Sequence, residues 1–299
     1  MPQRNKYISC SQVSLNASEE IFATAPRVDV WFLLEYRGHW SDKAFASSKV
    51  PEIVKKRLEE HLERIPNSRL QLIKRQNNRE EMLKFYVVLS DELDPRLYEV
   101  DLDKYEDLLE LDLSRILGNA LYLRNEPIFL VCTNGEYDKC CGKYGVPVYL
   151  EAAKNENGFK VWRTTHLGGH RFAANLLHLP FGIYYGRVRD INVAKLIKDS
   201  INRNIKLEHY RGHSCYNKDV QAAEFFLRNL TGETEISAFQ FKEANHKREG
   251  NLIFEFISKS DGKSHFIHVQ KDRSALFNYT SCGDDEKSQI AQYRLVDYK

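Results

Sequence analysis

Two short apolar, β-branched runs each end in side chains of the metal-binding type, and this constrains the chain more than any other feature. Residues 127–131 read Pro-Ile-Phe-Leu-Val, a buried-type strand that runs straight into Cys132. Residues 160–165 read Lys-Val-Trp-Arg-Thr-Thr, a second strand that leads into His166-Leu167-Gly168-Gly169-His170. In open α/β sheets the loops beyond the carboxyl ends of strands are free to be shaped for chemistry. Both runs therefore deliver ligand-type residues to a sheet edge. With Cys141, the set is Cys132, Cys141, His166 and His170. Two thiols and two imidazoles are donors chosen by zinc and by iron-sulfur clusters.

Spacing alone leaves that choice open. Structural zinc favours short C-x2-4-C knuckles, whereas Cys132 and Cys141 are spaced C-x8-C. A Rieske centre has two Cys and two His ligands but interleaves them in each loop; here Cys pairs with Cys and His with His. Gly168 and Gly169 lie between the histidines, so the backbone can turn tightly and let both imidazoles face one centre. Six cysteines in 299 residues are too few for a disulfide scaffold. A disulfide between the neighbours Cys140 and Cys141 would be strained. Taken singly, Cys10, Cys140, Cys215 and Cys282 read equally as small buried apolar residues and as thiols with chemistry of their own.

The flanking sequence indicates an α/β protein. Residues 28–36 read as a buried strand, a helix follows Pro51 and stops before Pro66, and residues 70–74 and 83–89 read as strands. Residues 99–110 read as a solvated, carboxylate-rich helix face. Cys140-Cys141-Gly142 reads as a turn before a helix at 148–154, and 183–185 and 193–201 read as a strand and a helix. A helix capped by Asn217 runs to Gly232, and a hairpin closes around 260–263. Three segments result: an N-terminal α/β segment at 1–120, a central one at 121–205, and a small C-terminal α+β segment at 206–299. Hydrophobic residues make up 42%, ample for a packed core.

A net charge of +2 provides no strong field for nucleic acid, so no nucleic-acid partner is expected. The first ten residues lack the apolar run of a secretory signal, and no stretch approaches the ~20 apolar residues of a membrane span. A cytoplasmic protein with reduced thiols is the expectation.

Three words in the centre of the chain, Val131-Cys132-Thr133-Asn134-Gly135, Asp138-Lys139-Cys140-Cys141-Gly142 and His166 through Asn175, resemble the sucrase/ferredoxin-like family. Thr24-Ala25-Pro26, Tyr184-Tyr185-Gly186-Arg187-Val188 and Arg211-Gly212-His213-Ser214-Cys215-Tyr216 extend the resemblance over most of the chain. It implies a thioredoxin-like ferredoxin domain carrying a [2Fe-2S] cluster. Cys132 and Cys141 would supply its thiolates, Cys141 being chosen by spacing over its neighbour Cys140, which the sequence alone also allows, and His166 and His170 would replace the other two cysteines. Tyr137 departs from the pattern, standing where an arginine is common in the family. Arg171 and Asn175 read either as the start of a helix that stabilises the cluster's negative charge or, equally, as an exposed ion pair and a turn cap. The functional expectation is a one-electron carrier exchanging electrons with a redox protein donor and acceptor, rather than a catalyst of its own. The alternatives are a thiol-disulfide oxidoreductase, weakened by the absence of C-x-x-C, and a zinc-stabilised binding module.

Overall fold

The first strand, Val-Trp-Phe-Leu-Leu-Glu, is apolar on both faces, the pattern of a strand covered on two sides. In the computed structural model, which describes residues 9–76, 81–154, 156–246 and 251–299, it is indeed central. The leading residues read for a secretory signal lie largely outside the described residues. The elements run α1 (Cys10–Asn16), β1 (Val30–Glu35), α2 (Glu52–Arg64), β2 (Ser68–Lys74), β3 (Leu83–Leu89), β4 (Arg96–Leu102), α3 (Leu113–Ile116) and β5 (Leu123–Arg124). There follow β6 (Ile128–Cys132), α4 (Lys139–Ala153), β7 (Lys160–Thr164), β8 (Leu176–Leu179), β9 (Ile183–Tyr185), α5 (Val193–Ile201), β10 (Tyr210–His213) and α6 (Lys218–Thr231). The chain closes with β11 (Phe239–His246), β12 (Asn251–Ser258), β13 (Ser264–Asn278) and β14 (Ser288–Tyr298).

Ten strands form one mixed sheet in the order β10-β9-β8-β6-β7-β2-β1-β3-β4-β5, and the last four form an antiparallel sheet in sequence order. The large sheet contains the same arrangement twice. β1 and β2 are parallel across α2, β3 runs antiparallel to β1, and β4 antiparallel to β3. β6 and β7 are likewise parallel across α4, with β8 antiparallel to β6 and β9 to β8. The halves join where β2 and β7 pair antiparallel, Ile73 opposite Thr164 and Lys74 opposite Arg163.

Strand alternation sorts the apolar residues into separate cores. Phe32 and Leu34 of β1 face Val54 and Leu58 of α2, and Phe129 and Val131 of β6 face Val148, Tyr149 and Ala152 of α4. The opposite faces, Trp31 and Leu33 from one half and Ile128, Leu130 and Cys132 from the other, belong to one shared core. The rings of Trp31 and Tyr184 lie 6.2 Å apart although several strands separate β1 from β9, so the sheet curls back on itself. Residues of the 1–120 and 121–205 segments thus pack on the same core, and β10 of the third segment adds one edge strand of the sheet.

Two local expectations need correction. Residues 99–110 are not a solvated helix: they hold the end of β4 and a 3-10 turn at Tyr105–Leu109. Their carboxylates serve the sheet, Glu99 and Asp101 taking the Lys84 ammonium of β3 at 3.1 and 2.6 Å. Cys140 and Cys141 do not form a turn before the helix; they are its first turn, because Asp138 caps it by accepting the Cys140 N–H at 2.8 Å.

Candidate metal centre

β6 ends at Cys132, and the chain returns through α4, whose first turn brings Cys141 back over that strand end. Helix and strand approach closely at Gly145, where a Cβ would collide with the Cys132 carbonyl. β7 lies beside β6, and the loop leaving it carries His166 and His170. Cys132, Cys141 and His166 offer ligand atoms that all lie within 4.8 Å of one another. The Cys141 Sγ to His166 Nδ1 distance is 3.8 Å. His170 lies outside that trio, but its ring centroid is 5.0 Å from that of His166.

The electrostatics differ across the site. Both thiols are buried, whereas the imidazoles reach partial exposure. The neighbouring Cys141 thiol, then His166 and the Leu167 N–H, hold the Cys132 thiol pKa well down, and Cys141 is pushed up in turn. Burial lowers the His170 pKa and so favours neutral imidazole, the form that binds metals. Its Nδ1 is buried without a hydrogen-bond partner, while Nε2 lies 3.9 Å from Asp138. A buried imidazole nitrogen without a hydrogen-bond partner, on a ring next to that of His166, fits a metal-ligand role. Two thiols and two imidazoles also match an iron-sulfur group by donor chemistry.

The ligand loop is held by its carbonyls. Arg211, buried on β10, donates to the Gly168 carbonyl and to Asn175 Oδ1, each at 2.9 Å, and to the Thr24 carbonyl at 2.7 Å. Asn175 donates to the Gly169 carbonyl at 3.0 Å, and Arg69 and Tyr184 donate to the Leu167 carbonyl at 3.1 and 3.3 Å. Gly169 adopts φ +71°, and a Cβ there would run into the Arg211 guanidinium. The words containing Thr24 and Arg211 were visible in the sequence, but their meeting at this loop was not.

The expected helix after the loop is absent. Residues His170–Phe172 make a 3-10 turn and Leu176 already begins β8, so the helix N-terminus at the site is that of α4, which carries Cys141 in its first turn. Arg171 forms the ion pair of the alternative reading, but with a buried partner, Glu19, at 2.6 Å. Tyr137, 46% exposed, stacks on His166 with centroids 4.0 Å apart. Sequence reasoning gave no role to Asp138, Arg69 or Glu19; the capping pattern of Asp138 ahead of the helix was the one available signal. Trp162, Tyr184 and Tyr185 are core residues, as their apolar surroundings imply.

Comparison with known proteins supplies relatives and a family for the chain. Curated relatives include proteins titled "Altered inheritance of mitochondria protein 32" from Debaryomyces hansenii and Meyerozyma guilliermondii. The first is 33% identical over 96 residues, covering 28% of this chain and 35% of the relative; the second is 29% identical over 98 residues, covering 29% and 35%. A third, of the same title, from Candida glabrata is 28% identical over 115 residues, covering 32% and 36%. The matched part of this chain thus spans about a third of the length of these relatives. No solved structure matches. The sucrase/ferredoxin-like family model matches residues 21–212, from just before Thr24 through Arg211, and the chain belongs to that family.

Proposed function

We propose that the chain is a one-electron transfer protein whose [2Fe-2S] cluster is held by Cys132 and Cys141 on one iron and by His166 and His170 on the other. The observation that carries this reading is the convergence of Cys132, Cys141 and His166 within 4.8 Å, with the His170 ring alongside. A two-iron group spreads its ligands, so all four donors need not meet at one point. The order β7-β6-β8-β9, with α4 crossing over, supports a thioredoxin-like ferredoxin fold, with 121–205 as the cluster-bearing unit. When bound, such a cluster takes up and gives back a single electron.

The chain's own residues set how readily that happens. The Leu167 N–H donates to the Cys132 sulfur, and the buried Arg211 guanidinium places a positive charge behind the ligand loop. Both favour added negative charge, as does replacing two anionic thiolates by neutral imidazoles. The potential should therefore exceed that of an all-cysteine ferredoxin. Buried thiols exclude water on one side, while the His166 edge beneath Tyr137 is the side nearest a redox protein donor or acceptor.

Among the described residues no helix is long and apolar enough to cross a membrane. The cytoplasm meets the thiols' need for a reducing compartment. The relatives' title names the mitochondrion, the competing compartment.

Anaerobic purification with iron and acid-labile sulfide analysis tests the reading, comparing the parent chain with Cys140→Ser and Cys141→Ser. About two irons and two sulfides per chain are expected in the parent and in Cys140→Ser, and almost none in Cys141→Ser. Loss confined to Cys140→Ser would overturn the ligand assignment. Colourless protein holding zinc at Cys132 and Cys141 would replace the carrier by a zinc-stabilised binding module.

A further inference from the structure

A second set of ligand-type side chains lies beside the first and shares none of its members. The Cys282 Sγ is 3.2 Å from Cys140 Sγ, 3.4 Å from Cys10 Sγ and 3.2 Å from Asp138 Oδ1. The Cys10 Sγ is 3.8 Å from the same carboxylate oxygen, and the four ligand atoms all lie within 4.8 Å of one another. Cys10 and Cys140 are fully buried and Asp138 nearly so. The sequence scatters these residues widely: Cys10 opens α1, Asp138 and Cys140 begin α4, and Cys282 sits in the loop between β13 and β14.

Packing does not account for the arrangement. Apolar burial is non-directional and gives three thiols no reason to gather around a carboxylate. These are four acidic groups in one nearly dry place. Ser281 Oγ and the Cys282 N–H donate to Asp138 at 3.1 and 2.9 Å, and Ser9 Oγ lies 3.4 Å from Cys140 Sγ. Among the described residues the one basic group within ion-pair distance of Asp138 is His170, at 3.9 Å. A cation would complete the set, and three sulfurs with one oxygen are a tetrahedral donor set suited to zinc.

We propose that Cys10, Cys140, Cys282 and Asp138 form a second metal site that holds a structural zinc ion. Binding displaces the thiol protons to solvent and leaves oxidation states unchanged. The ion ties three remote stretches together at the turn that carries Cys141. α1 most needs such a tie, since seven residues make a marginal helix and no side-chain hydrogen bond caps its start. The site also explains the doubled thiol. Neighbours on a helix point about 100° apart, so Cys140 and Cys141 face different centres.

The test quantifies zinc and iron in the same preparations of the full chain, after incubation with Zn2+ and dialysis. About one zinc per chain is expected in the parent. The Cys10→Ser/Cys282→Ser double variant should lose zinc and keep iron, and Cys132→Ser/Cys141→Ser should lose iron and keep zinc. The second pair reads the iron-sulfur proposal separately, so either proposal can fail alone. Should the first double variant not fold, zinc-edge X-ray absorption of the parent decides: three sulfurs and one oxygen support the site. A sulfur and nitrogen shell would move the zinc to the other cluster and overturn it. So would a parent chain without zinc, parental zinc content in Cys10→Ser/Cys282→Ser, or a native Cys140–Cys282 disulfide.

Discussion

The two halves of the large sheet share a strand order but differ at the strand ends. In the first half β1 ends at Glu35, buried and paired with Arg37 at 2.8 Å, and the helix that follows starts with Glu52 and Lys55 joined at 2.7 Å. In the second half the corresponding strand ends at Cys132 and its helix starts with Cys140 and Cys141. One arrangement of backbone thus holds ion pairs in one copy and soft metal donors in the other. Chemistry here is set by a few residues at strand ends and helix starts, while the strands between them keep the scaffold.

The shared core couples the two halves. Trp31 belongs to the first half but lies against Tyr184 of the second. Trp31→Ala should cost about 3–5 kcal/mol in denaturant unfolding, the range for truncating a large core aromatic. Iron retention should fall in the same transition. A second half that keeps its iron and unfolds in a separate, unshifted transition would show the halves to be independent.

A smaller effect distinguishes the halves by pH. On the helix-facing side of β8 lies His178, fully buried, stacked on Phe129 and hydrogen-bonded through Nδ1 to Ser200 at 2.8 Å. The corresponding side of β3 shows Phe85 and Val87. Burial lowers the His178 pKa from 6.5 to about 3. Between those values the unfolded chain binds the extra proton, so this histidine's share of stability is whole above 6.5 and shrinks as pH falls. Its slope approaches about 1.4 kcal/mol per pH unit. Unfolding of His178→Gln followed from pH 7 to 4 should show a shallower acid loss than the parent; an unchanged slope would clear His178 of the role.

What the sequence disclosed follows from where information is local. α5 and α6 carry their own caps in Asn192 and Asn217, and the β12–β13 hairpin its own Asp-Gly turn, so periodicity and capping suffice. The pairing of β2 with β7 rests on two residue pairs from strands far apart in sequence, which no local pattern records. At the candidate metal centre, strand ends and spacing singled out Cys132, Cys141, His166 and His170. The Arg211 clamp and the gathering of Cys10 and Cys282 around Asp138 are tertiary events. Each cysteine alone reads as well as a small apolar residue as a ligand, and only the fold brings them together.

The most direct test of the central claim is electron paramagnetic resonance of the anaerobically reduced full chain, with nitrogen hyperfine couplings resolved. One unpaired electron per cluster is expected, coupled to the nitrogens of both His166 and His170. A reduced cluster without nitrogen couplings, or a chain that binds no iron under conditions that preserve such clusters, would contradict it.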